Sequence, residues 1–158
     1  MNWFTSSPGD IDLHVMAIKK SDGSICRTWY NCKSCCASID QDADNTAGGL
    51  KGGETFTLLN NVVNSDYIYM VAAEDFGSLG NGGADFLASG VMITVTDGLE
   101  IVKKSMVADS VTAGTEFILF GCVDVQSDGT AFHWYPAADG TFINGHSDDA
   151  WSLSLCGL

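Results

Sequence analysis

The chain has 158 residues, 46% of them apolar and 10% aromatic, which suits one folded domain spanning 1–158 and argues against a disordered chain. Twenty acids against seven bases give a net charge of −13, the wrong sign for nucleic acid or an anionic membrane surface. No apolar run approaches the roughly 18 residues of a membrane span, so no membrane insertion is expected. The opening "MNWFTSSPGD" has neither the basic nor the long apolar region of a signal peptide.

In chain order, "GDIDLHV" (9–15) is the first strand signal. Side chains alternate between faces of a strand, so Ile11, Leu13 and Val15 share a core face. Asp10, Asp12 and His14 share the other. Like charges on one face repel, so either water screens that face or a cation sits on it. Further strands are expected at "ICRTWYN", "ETFTLL", "YIYMVAA", "VMITVT", "EFILFGCVDV", "AFHWY" and "WSLSL". Between them lie turns rich in Gly and Asp-Gly, a strong hairpin signal. Helical periodicity is nearly absent. Eight to ten short strands with Gly-rich loops predict an all-β fold, a single antiparallel β-sandwich of jelly-roll or Ig-like type. The loops at 46–53 and 77–85 are long enough to be functional.

Six cysteines occur: Cys26, Cys32, Cys35, Cys36, Cys122 and Cys156. "CKSCC" lacks the second pair of a zinc site and the βαβ setting of a redox motif, so disulfides are the expectation, with free buried thiols as the alternative. The expected pairing is Cys122 with Cys156, and the early four among themselves.

A second acidic group, "SIDQDADNTAGGLKGGETF", alternates Asp40, Asp42 and Asp44 and adds Glu54. It is not an EF-hand, because the sixth position from Asp40 is Asn45 and the twelfth is Lys51. Carboxylates beside glycines suit calcium, a hard cation with oxygen ligands. A solvated acidic turn is the alternative. No G-x-S-x-G or H-E-x-x-H motif occurs, and no catalytic residue is assigned. His133 reads as a strand residue and His146 as a turn residue. Trp3, Trp29, Trp134 and Trp151 read as core rather than as a sugar-stacking platform.

"DIDLHV", then "DADNTAGG", then "GGETF" together resemble the YfaP-like secreted β-sandwich domains of unknown function, found in bacteria and microbial eukaryotes. They are similar, more loosely, to calcium-dependent ligand-binding modules of bacterial adhesins. The resemblance covers most of the chain. Gly53 replaces the family's proline, Gln41 replaces a hydrophobic residue, and "CKSCC" is an addition. The resemblance implies a Ca2+ site at which Asp12, Asp42, Asp44 and Glu54 converge, with Asp10 and His14 beside it and Asp10 counted among the ligands. It implies an extracellular or cell-surface location. The function expected is a non-catalytic, calcium-stabilised structural or adhesive module. Its partners would be copies of itself in a filament or surface layer, or an extracellular glycan or peptide. A carbohydrate- or peptide-binding module and a metal-dependent hydrolase are the alternatives.

Overall fold

The computed structural model describes residues 1, 3, 10–34, 36, 39–42, 53–59, 61–76, 86, 90–96, 101–105, 115–128, 132–138, 141–143 and 150–158. Asp44, Cys35, His146, most of the loop at 46–53 and all of the loop at 77–85 lie outside the described residues. The fold is all-β and antiparallel. Its strands are β1 (Ile11–Lys19), β2 (Ile25–Thr28), β3 (Ile39–Gln41), β4 (Phe56–Leu58), β5 (Tyr67–Asp75), β6 (Met92–Thr96), β7 (Ile101–Ser105), β8 (Phe117–Val125), β9 (Phe132–Pro136) and β10 (Phe142–Ile143). One helical turn, α1 (Asn61–Asn64), leads into β5.

The main sheet has the order β10-β8-β5-β1-β2, with β9 also paired to β8. β1, β5 and β8 form its centre, nine residues each. Two short ribbons, β3–β4 and β6–β7, supply the opposing layer of a sandwich. Ile11, Leu13, Val15 and Ala17 of β1 join Tyr69, Val71 and Ala73 of β5 in a core that also holds Ile39 and Ile93 from the ribbons. The alternation of the first strand therefore marks this face correctly.

The other face of the sheet is also closed. Met16, Ile18, Ile68, Met70, Ala72 and Leu119 form a second core with Trp151 and Cys156 of the C-terminal segment. Asp12 and His14, on this face, are 2% and 0% exposed, so water does not screen them. The C-terminal "WSLSL" is not a strand. Leu153–Cys156 is a 3-10 turn. Ser152 caps its start through an acceptor for the Ser154 N–H, and Gly157 closes it at φ 74°, a left-handed conformation that favours glycine. The Cys122–Cys156 disulfide fastens this turn to β8.

β8 keeps both cores filled through a bulge. Val71 pairs with Gly121 and Ala72 with Leu119, so Phe120 is an extra residue. Ile118 and Phe120 face the first core before it, and Val123 and Val125 after it. One inserted residue exchanges the even and odd faces.

Candidate functional site

The candidate site follows from the register of the two central strands. Asp12 lies directly across from Glu74, and His14 across from Ala72. The side chains of Asp12, His14 and Glu74 thus meet on one face of the sheet. His14 Nε2 lies 2.6 Å from Glu74 Oε2. One ligand atom from each of the three residues lies within 4.8 Å of the others. Exposures of 2%, 0% and 1% show that the group is sealed.

Aromatic rings make the walls. Phe117 meets the His14 imidazole edge-on at 5.3 Å, and Trp29 lies 5.8 Å from it. Trp151 packs against Phe117 at 5.4 Å. Trp29 is placed by the chain just beyond β2, where it bridges Cys32 through hydrogen bonds of 2.9 and 3.3 Å. The Cys26–Cys36 disulfide closes the segment that carries this turn. Arg27 stands over both the Trp29 and Trp151 rings, at 6.0 and 5.9 Å, within cation–π range.

Two carboxylates directly opposite each other on neighbouring strands repel, and burial in an apolar face raises the cost. The imidazole of His14 stands within ion-pair distance of Glu74. A cation held among the three groups answers the repulsion, which is the second alternative for the polar face of the first strand.

The carboxylates anticipated from the sequence are distributed differently. Among the described residues, Asp12, His14 and Glu74 are the one group with metal-ligand proximity. Asp10, Asp42 and Glu54 are not part of it. Glu54 is fully buried, and its Oε2 accepts the Leu13 N–H at 2.6 Å and the Gln41 side-chain amide at 3.3 Å. Asp42 is exposed and its Oδ1 accepts the Thr55 N–H at 3.0 Å. Asp10 is half-buried, and its carbonyl accepts the Phe76 N–H. The carboxylates of Glu54 and Asp42 thus brace loop and strand ends by hydrogen bonds, and Asp44, the remaining member of the expected set, lies outside the described residues.

Glu74 escaped the sequence reading. The apolar run "YIYMVAA" stops one residue short of it, and no local motif marks it. The usable signal is parity: Ile68, Met70, Ala72 and Glu74 share a face, so a buried strand ends on a carboxylate.

The disulfide expectation holds for the described cysteines. Cys122 pairs with Cys156 and Cys26 with Cys36, and Cys32 is disulfide-bonded too. Among the described residues no helix is long and apolar enough to cross a membrane.

Fold and site together define a disulfide-braced antiparallel β-sandwich with a sealed Asp–His–Glu group on its central strands. Comparisons with family models, with curated proteins and with solved structures find no match.

Proposed function

We propose that this protein is a non-catalytic structural or adhesive module of an oxidising, extracellular setting. The observation that carries the reading is the sealing of Asp12, His14 and Glu74. They are the groups with the right chemistry for acid–base or metal-assisted catalysis, yet none is more than 2% exposed. Both faces of the central strands serve as core, as in a domain built for rigidity. Disulfides persist mainly in secreted and cell-surface proteins, which supports the location.

The partners in this reading are a further copy of the chain or an extracellular glycan or peptide. Edge strands of a sandwich offer unpaired backbone groups for such contacts. The reading does not depend on calcium, and the calcium-stabilised form of the module is tested by sedimentation run in calcium and in EDTA.

The test is sedimentation of the oxidised chain over a wide concentration range, together with glycan and peptide arrays. Reversible assembly or selective array binding is expected. A monomer that binds nothing, but hydrolyses an ester, peptide or glycoside in a manner lost in His14→Gln, would replace the module by a hydrolase.

A further inference from the structure

We propose that Asp12, His14 and Glu74 form a buried structural site for a divalent transition-metal ion of the zinc type. The site is independent of whichever partner the module binds.

Three observations carry it. The first is proximity across strands: the ligand atoms lie within 4.8 Å of one another, from β1 and β5 in fixed register. Zinc bonds to nitrogen and oxygen of about 2.0–2.2 Å place neighbouring ligand atoms about 3.3 Å apart in a tetrahedron, between the 2.6 Å of the His14–Glu74 pair and the 4.8 Å bound on the group. Three residues fill the four tetrahedral positions when one carboxylate binds through both of its oxygens.

The second is charge. Two carboxylates inside an apolar layer are costly unless their charge is balanced. A dication held by both and by a neutral imidazole brings the sum to zero, with every ligand bound deprotonated.

The third is the donor set. One nitrogen and two oxygens select a borderline ion over calcium or magnesium, which favour all-oxygen sets. The cysteines do not compete, because every described one is in a disulfide. Phe117 and Trp29 pack against the imidazole and none of the three ligands is more than 2% exposed, as expected for a structural rather than a catalytic ion.

The test uses the full chain, unfolded in denaturant and chelator without reductant so that the disulfides stay intact. It is then refolded with zinc, calcium, magnesium or chelator alone. The expected result is one zinc per chain after gel filtration, a melting temperature several degrees above the chelator sample, and neither effect from calcium or magnesium. Glu74→Gln and His14→Gln should lose the zinc, and Asp42→Ala should keep it. Should the buried variants fail to fold, cobalt-loaded wild-type protein still decides. It should show one paramagnetically shifted imidazole N–H resonance and no thiolate charge-transfer band. No retained zinc, retention of calcium in its place, a cobalt spectrum without a histidine ligand, or loss of zinc in Asp42→Ala would each overturn the site.

Discussion

Glu54 Oε2 accepts the backbone N–H of Leu13 at 2.6 Å, across 41 positions of sequence. β2 ends at Thr28, opposite Val15, so β1 runs on past its neighbour and Leu13 has no strand partner on that side. A fully buried carboxylate takes the place of the missing ladder bond and also accepts from Gln41. Glu54→Ala leaves a backbone donor and an amide buried without an acceptor, and should cost about 2–3 kcal/mol. Glu54→Gln keeps one acceptor oxygen and should cost less. Urea unfolding measures both. The losses should be equal in calcium and in EDTA; a loss confined to calcium would return Glu54 to an ion-binding role.

Gly121 follows the extra residue of the β8 bulge, on the stretch of β8 that pairs with β9. A Cβ at this position would stand 2.5 Å from the Tyr135 carbonyl oxygen and 2.6 Å from the Trp134 ring. The carbonyl belongs to a paired strand and cannot swing aside as a side chain would. Gly121→Ala should therefore destabilise by about 2–4 kcal/mol, in the range of overpacked cores. Hydrogen exchange should show the damage first at β9, and uniform protection of β9 in the variant would contradict the close approach.

Much of this fold was legible from alternation. Ile11, Leu13 and Val15 announce a strand with a core face, and the continuous apolar run around Phe117–Val125 announces a central strand. What alternation leaves open is the opposite face of β1. Asp12 and His14 fit either a solvated face or one that holds a cation, because a half-exposed strand and a strand with a buried polar group share one pattern. The difference lies in the C-terminal segment, whose Trp151 covers that face from far along the chain. The same segment was read as a strand because Trp151, Leu153 and Leu155 alternate with serines and a cap residue does not break that pattern. Glu74 was invisible for a related reason: its meeting with Asp12 is a matter of register between strands, which neither segment specifies alone. The pairing of Cys122 with Cys156 was accessible because the other four cysteines are close neighbours in sequence.

The Cys122–Cys156 bridge closes a separation of 34 residues. Cross-links on loops of this length stabilise by about 3–4 kcal/mol, chiefly by restricting the unfolded chain. The double variant Cys122→Ala, Cys156→Ala should lose stability on that scale. It should also free the segment carrying Trp151 from the second core, exposing Phe117 and Leu119. Faster hydrogen exchange at Phe117 and Leu119, with a red-shifted tryptophan emission, checks this. Intact protein should weigh about two hydrogens less per bridge than the reduced form, and free alkylation of Cys122 in native material would refute the bridge.

Tyr69 ties stability to alkaline pH. Its hydroxyl donates to Asn64 Oδ1 at 2.7 Å inside the first core. Burial first, then the neighbouring Tyr67 and Asp66, hold its phenol well above the usual tyrosine value. The unfolded chain releases this proton near pH 10, the ordinary tyrosine value of about 10, while the folded chain still holds it. The unfolded state then binds fewer protons, so stability is fully present below about pH 10 and falls as pH rises from there toward the folded value. Tyr69→Phe removes the titrating group and should flatten that alkaline slope relative to wild type. At neutral pH the same variant should cost about 1–2 kcal/mol, because the buried Asn64 amide loses its phenol donor. Denaturation midpoints of both proteins between pH 7 and pH 11, taken quickly enough to avoid disulfide exchange, make the comparison. An identical alkaline slope in the two would show that Tyr69 ionises as freely in the fold as in the unfolded chain.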